Sequence, residues 1–385
     1  MRVLIDFISL QRKNGAAEYL RRVIDELCGE SYRRVDLKLF GVYNSKCGIA
    51  YDDIQPSEME KRGVHMVDVA NTNLVHLINK CCIDKFFIGC VQVLENYEEL
   101  PDLKCGVIVV VHDLSFEETH RDDIDIYVRA QNKPTISLVN WLLLHKNKSR
   151  THTWYMTKTA KLLQNNPKSI IVSVSDYTKQ SIQYAYDVPD ERIMVLYSPE
   201  RIYTSPDARI ENSQLSSIIS AGQRFLLLLG TQHPLKNTRK AINAFRRFSQ
   251  LHPDYYLVTT GKDIPQSFPN HISLGFLSDN DLMKAYEHCT ALIYPTLFEG
   301  FGYPPVEVMR YGKPVLASNI GPVREVLSDA PIYFSPLYET DIFHALIQFD
   351  SSDYDTLCQK SLERFKYVSA RQQDDLKTLL QLIIS

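Results

Sequence analysis

Residues 294–312 read YPTLFEGFGYPPVEVMRYG. The apolar run Ala291–Tyr294 that leads into them has strand length and ends at Pro295. A loop containing Glu299-Gly300-Phe301-Gly302 follows, and Pro304-Pro305 then opens a helix, where proline is tolerated because the first N–H groups have no partner anyway. Glu307 is predicted in that helix's first turn. Strand, glycine loop and helix in this order form the repeating unit of a layered α/β domain. Each carboxylate of the pair Glu299 and Glu307 accepts two hydroxyl bonds at once, which suits it to grip a sugar. The glycines let a ligand approach the backbone N–H groups closely. For Glu307 alone, stabilisation of the helix N-terminus is an equal alternative.

The same rhythm extends in both directions. Val3–Ile8, Val107–Val111 and Ile170–Val174 are β-branched or apolar runs of the kind that mark strands covered on both faces. Leu20, Val23, Ile24 and Leu27 recur on one helix face. From residue 199 the pattern lapses into polar SPERIYTSPDARIENSQLSS. It restarts at Phe225–Leu229, with a loop at Gly230–Asn237 and a helix marked by Ala241, Ile242, Phe245 and Phe248. Tyr256–Thr260 and Pro314–Ala317 are further strands. The chain divides accordingly. Residues 1–198 are expected to form an N-terminal Rossmann-like domain and 199–223 a linker. Residues 224–365 are expected to form a C-terminal Rossmann-like domain, and 366–385 a C-terminal helix packing back on the first domain. The fold class is α/β, two Rossmann-like domains facing across an interdomain cleft. Ligands are expected outside the carboxyl ends of the strands.

Composition narrows the function. With 385 residues, two domains are the prior expectation. Lys+Arg 43 against Asp+Glu 46 gives a net charge of -3, so no nucleic acid partner is indicated. The eight cysteines show no metal-ligand spacing and read as reduced core thiols of a cytosolic protein. The N-terminus lacks a signal-peptide pattern, and no apolar run reaches the roughly 18 residues of a membrane span.

Several stretches together resemble one family. The E-x7-E pattern from Glu299 to Glu307 is similar to that of retaining group 1 glycosyltransferases, family four, of the GT-B fold. LLLLGTQHPLKNTRKAINAF, HISLGFLSDNDLMKAYEHCTALIYP and GKPVLASNIGPVREVLSDAPIYFSP resemble the stretches around that motif. Gly15–Leu27, VVVHDLSF and VSVSDYTKQSI match in the first half. The resemblance implies that Glu307 binds the donor ribose and that Glu299 sits by the transferred sugar. Backbone N–H groups of Gly300, Phe301 and Gly302 would then meet its hydroxyls. Lys236 would hold the diphosphate, and Gly275, Phe276 and Leu277 would lie near the base. His112 would face donor sugar and acceptor, with Asp113 either beside it in function or capping the next segment. Gly15 and Ala16 would form a phosphate or acceptor loop, or else a simple tight turn. The family often places an arginine beside the phosphate lysine. Here those positions are Thr231 and Leu235, leaving His233, Arg239 or the helix N-terminus as substitutes.

The implied activity is metal-independent, cofactor-free hexosyl transfer with retention, from a nucleotide-diphosphate sugar to a glycan or lipid-linked acceptor in surface polysaccharide biosynthesis. The alternatives are a catalytically silent nucleotide-sugar-binding partner and a nucleotide-sugar epimerase of the same fold. Residues 126–175 carry eight Lys/Arg and no acid, together with Trp141 and Trp154. With Lys146, Lys148 and Arg150, they suit peripheral contact with an anionic membrane or a lipid-linked acceptor. A core helix with a solvated basic face accounts for the same composition. The expected location is the cytoplasm, at the inner face of the cytoplasmic membrane.

Overall fold

The computed structural model describes residues 1–11, 13–32, 36–71, 73–91, 105–115, 169–203, 209–262 and 268–385, with positions 103, 118, 163 and 164 besides. The chain forms two compact units. The first holds the described residues up to Ile202 together with Arg371–Ser385, and the second holds Tyr203–Ala370.

The first unit is built on strands β1 (Arg2–Asp6), β2 (Lys38–Tyr43), β3 (Val64–Asp68), β4 (Lys85–Ile88), β5 (Gly106–Val111), β6 (Ser169–Ser173) and β7 (Ile193–Val195). All pair in parallel, in the order β3-β2-β1-β4-β5-β6-β7. β1 is shorter than its apolar run because Asp6, fully buried, turns the chain. Its carboxylate accepts from the Ile8 amide at 2.9 Å and the Ser9 hydroxyl at 3.0 Å. Helix α1 (Gly15–Leu27) follows, with α2 (Pro56–Lys61), α3 (Leu74–Lys80) and α4 (Asp176–Tyr186) farther on. Phe86, Val107, Val109 and Ile171 fill the core with Leu77 and Ile182.

The second unit contains β8 (Arg224–Leu228), β9 (Tyr255–Thr259), β10 (His271–Ser273), β11 (Ala291–Tyr294), β12 (Val315–Ser318) and β13 (Ile332–Phe334). They too are parallel, in the order β10-β9-β8-β11-β12-β13. The strand order reverses between β8 and β11, and a doubly wound sheet binds ligands outside the strand ends at that switch point. Helices α5 (Ser213–Ser220), α6 (Thr238–Leu251), α7 (Asp279–His288), α8 (Tyr303–Met309), α9 (Gly321–Leu327) and α10 (Glu339–Ser351) complete it. Helix α6 shows why this packs. Ala241, Ile242, Phe245 and Phe248 are buried against Leu226, Leu257 and Ile293, while Arg246 and Arg247 stay exposed.

Three expectations are corrected. The polar stretch 199–223 contains α5, held by tertiary contact: the Asp281 carboxylate accepts from the amides of Glu211 at 2.9 Å and Asn212 at 3.0 Å. The terminal helix α11 runs from Tyr354 to Ile384 instead of starting at 366. Its last part is tied into the first unit, where Asp375 accepts from the Tyr197 amide at 2.8 Å. Gln372 donates to the Ser198 carbonyl at 2.6 Å, and Lys85 to that of Leu382 at 2.6 Å. Of the cysteines, only 28, 90, 105 and 289 are core thiols. Cys47 and Cys82 are exposed, and Cys81 and Cys358 are half-buried.

Candidate functional site

The loops after β8 and β11 flank the switch point of the second sheet, and both are anchored. The amides of Gly230 and Thr231 each donate to the Thr260 carbonyl at 3.1 Å, which fixes the start of the first loop. A single 3-10 turn, Pro234–Lys236, then leads to Asn237. Asn237 takes a left-handed conformation, φ 52°, tolerable for asparagine. Its buried side-chain amide donates to the carbonyls of Pro295 at 3.1 Å and Pro336 at 2.8 Å. The Leu297 amide donates to the Leu235 carbonyl at 2.8 Å. These bonds bring the two loops together.

Their side chains meet accordingly. The Lys236 ammonium forms an ion pair with Glu299 Oε1, and the two side chains are 27% and 14% exposed. The Thr296 hydroxyl donates to the same carboxylate oxygen at 2.9 Å. Lys236 Nζ also lies 3.4 Å from Tyr294 Oη and 5.2 Å from that ring's centroid. Gly300, Phe301 and Gly302 are buried around the turn into α8. Gly302 stands at the N-cap with φ 92°, a conformation that glycine adopts without cost.

Glu307 departs from expectation. Helix α8 starts at Tyr303, so Glu307 lies past the first turn and does not cap the N-terminus. It is buried, and its Oε2 accepts from the Tyr286 hydroxyl at 2.8 Å. Both carboxylates act on Tyr294, whose phenol is held well above its ordinary pKa by burial first and then by Glu299 and Glu307.

Gly275, Phe276 and Leu277 follow β10. The Gly275 carbonyl accepts from the Gly261 amide at 2.8 Å. Gly261 has φ 110°, a conformation that strains any residue with a side chain. Phe276, next to Gly275, stands 71% exposed. At the two positions where the family often has an arginine, Thr231 spends its hydroxyl on the Lys262 carbonyl at 2.6 Å, while Leu235 serves through its carbonyl.

His112, Gly15 and Ala16 belong to the first unit. His112 follows β5, and its Nε2 lies 2.8 Å from the Gly89 carbonyl. That acceptor places the proton on Nε2. The ring packs edge-on against Tyr19, centroids 5.0 Å apart. Burial lowers its pKa, against the opposing pull of the Gly89 carbonyl and Asp113. Asp113 Oδ1 accepts from the Ser115 amide at 2.9 Å, the capping role. Gly15 and Ala16 open helix α1 and form no tight turn; Asn14 caps it by accepting from the Ala17 amide at 2.9 Å.

The lowered histidine pKa has a consequence for stability. As pH falls through the ordinary imidazole range, the unfolded chain takes up a proton that folded His112 refuses. Stability present above that range is therefore lost on acidification. His271, also pushed down by burial, acts in the same direction. Replacing His112 with glutamine is expected to flatten part of the fall in Tm with pH. An unchanged slope in thermal melts across this range would remove the assignment.

Trp141, Lys146, Lys148, Arg150 and Trp154 lie outside the described residues. Among the described residues, no group of His, Cys, Asp or Glu could hold a metal ion, and no helix is long and apolar enough to cross a membrane. Reading the sequence missed Tyr286, Thr296 and the bridging role of Asn237. Only Asn237 carried a signal, as an asparagine between a loop and a helix.

Comparison with known proteins gives consistent results. Residues 210–334 match the family described as "Glycosyl transferases group 1". The chain is 28% identical over 268 residues to the "Serotype-specific mannosyltransferase WbdA" of Escherichia coli, covering 60% of this chain and 31% of that protein. It is 28% identical over 181 residues to the "O-antigen chain mannosyltransferase RfbU" of Salmonella typhimurium, 43% of this chain and 46% of that one. The chain thus spans about a third of WbdA and under half of RfbU. Among solved structures, Anabaena HepE in complex with UDP and glucose superposes with a TM-score of 0.66 at 14% identity, covering 100% of this chain and 98% of that one. WaaG, a glycosyltransferase involved in lipopolysaccharide biosynthesis, superposes with 0.61 at 14% identity over 98% and 99%. The fold class is that of these GT-B proteins.

Proposed function

We propose, for a chain that carries a group 1 glycosyltransferase domain, that it transfers a hexose with retention from a nucleotide-diphosphate sugar to a glycan or lipid-linked acceptor of surface polysaccharide synthesis. The observation that carries this reading is the meeting of Lys236 and Glu299 at the switch point of the second sheet, with Glu307 buried behind them. A cation among loops that open helices suits a diphosphate, and two carboxylates suit ribose and hexose hydroxyls. WbdA and RfbU are named mannosyltransferases, so mannose is the first hexose to try.

In this reading the acceptor hydroxyl oxygen bonds to the anomeric carbon while the bond from that carbon to the phosphate oxygen breaks. The hydroxyl proton passes to the departing phosphate, which leaves as nucleoside diphosphate. Lys236 releases Glu299 to meet the charge that develops on the leaving group, and fixed N–H dipoles near Gly300–Gly302 assist. Glu299 orients the sugar and Glu307 the ribose. His112 is the catalytic histidine of this reading. No metal takes part, and the enzyme works at the inner face of the cytoplasmic membrane.

Thermal unfolding with UDP, GDP, ADP and CMP in turn, each with and without EDTA, tests the donor site. A nucleotide at about 100 times its dissociation constant stabilises by roughly 2.7 kcal/mol. One nucleoside diphosphate is expected to raise Tm equally in both conditions. Transfer from GDP-mannose or UDP-glucose then separates a transferase from a silent binder or an epimerase. No shift with any nucleotide sinks the proposal.

A further inference from the structure

Tyr294 ends β11, and only 3% of it is exposed. Every other residue of that strand is aliphatic, and a phenylalanine would fill the same space. The hydroxyl therefore calls for a reason beyond packing. It accepts from Lys236 Nζ at 3.4 Å, and a hydrogen bond with Glu299 contributes to its raised pKa. A Cβ added to Gly302 would come within 3.5 Å of it, so the turn into α8 rests over the same atom. The phenol oxygen thus adjoins the first loop, the second loop and the helix start. The ring meanwhile lies within cation–π range of the Lys236 ammonium.

Burial and two neighbouring carboxylates keep this phenol protonated at any working pH, so it never competes for the charge of Lys236 as a phenolate would. Glu299 is the other partner of Lys236, and donor entry must draw the ammonium away from it. What then remains to hold a long, flexible side chain is the ring and hydroxyl beneath it.

We propose that Tyr294 is a positioning residue, whose ring face and hydroxyl hold the Lys236 ammonium where the diphosphate of the donor docks. This rests on the reading of Lys236 as the diphosphate ligand. The test compares dissociation constants of UDP and UMP, and of GDP and GMP, for the wild type, Tyr294→Phe, Tyr294→Leu, Lys236→Ala and Lys236→Ala/Tyr294→Leu. Losing ring and hydroxyl should weaken diphosphate binding about tenfold, and losing the hydroxyl alone about threefold. Monophosphate binding should stay within about twofold, since the lost contact acts beyond the first phosphate. In the Lys236→Ala background, Tyr294→Leu should add nothing.

Equal weakening of mono- and diphosphate would show that Tyr294 only packs, and no change in either would also overturn the proposal. So would a full further loss in the Lys236→Ala background. If Tyr294→Leu does not fold, the diphosphate-to-monophosphate ratio of the shape-preserving Tyr294→Phe decides. If Lys236→Ala itself leaves that ratio unchanged, the underlying reading of Lys236 fails, a result distinct from failure at Tyr294.

Discussion

Replacing Lys236 with alanine is expected to lower kcat/KM by about 10²–10³-fold, the usual cost of removing one preorganised electrostatic contact to a developing charge. Steady-state kinetics with the preferred donor would measure it. Lys236 is the cation that the folded loops bring to the switch point. The two positions where the resembled family often has an arginine contribute no cationic charge: Thr231 is bonded to a carbonyl, and Leu235 is apolar. Much of the loss should fall in kcat, because charge on the leaving diphosphate grows as the glycosidic bond breaks. The variant also leaves the Glu299 carboxylate, 14% exposed, without its cation. Some loss of stability follows, smaller than for a fully buried pair. Lys236→Ala combined with Glu299→Gln should recover that stability without recovering rate. A change in kcat/KM of less than about threefold would remove Lys236 from the chemistry.

Replacing Asn237 with alanine should destabilise the second unit by about 3 kcal/mol, the sum of two lost hydrogen bonds and a left-handed residue. The asparagine amide is buried and donates to two proline carbonyls, one after β11 and one after β13. Without it both carbonyls lose a donor inside the protein. Asn237→Gly separates the two contributions: it tolerates φ 52° yet still lacks the amide, so it should regain about 1 kcal/mol only. Urea unfolding followed by circular dichroism would report the total. Hydrogen exchange at the Leu297 amide would report the local loosening. An Asn237→Ala variant as stable as the wild type would show that these loops are held by other contacts.

Much of this is legible in the residues because burial leaves a compositional trace. Strands such as Val107–Val111 and Ala291–Tyr294 are covered on both faces and read as unbroken apolar runs. The glycine loop between Glu299 and Glu307 can be located because a strand ends and prolines begin at defined positions. What escapes depends on partners distant in the chain. Helix α5 has only Leu215 and Ile218 to bury and is secured by Asp281, some seventy residues away. Tyr286 reaches Glu307 from α7, and no local pattern announces a tyrosine whose hydroxyl meets a carboxylate on another helix. Glu307 sits deeper in its helix than the prolines suggest, because a helix start shifts easily by a residue or two: here Tyr303, before both prolines, already belongs to the helix.

The return of Arg371–Ser385 to the first unit bears on how such a chain can be recombined. A single cut cannot yield two complete halves. An exchange at the 202/203 boundary alone would pair one parent's first sheet with the other parent's closing segment. The bonds from Asp375 and Gln372 to Tyr197 and Ser198 would then join sequences that had not been selected together. The second unit's stretch from Tyr203 to Ala370 travels whole only when it is excised as an insertion. In lineage terms, the identity of the first unit is written in two separate stretches of the chain.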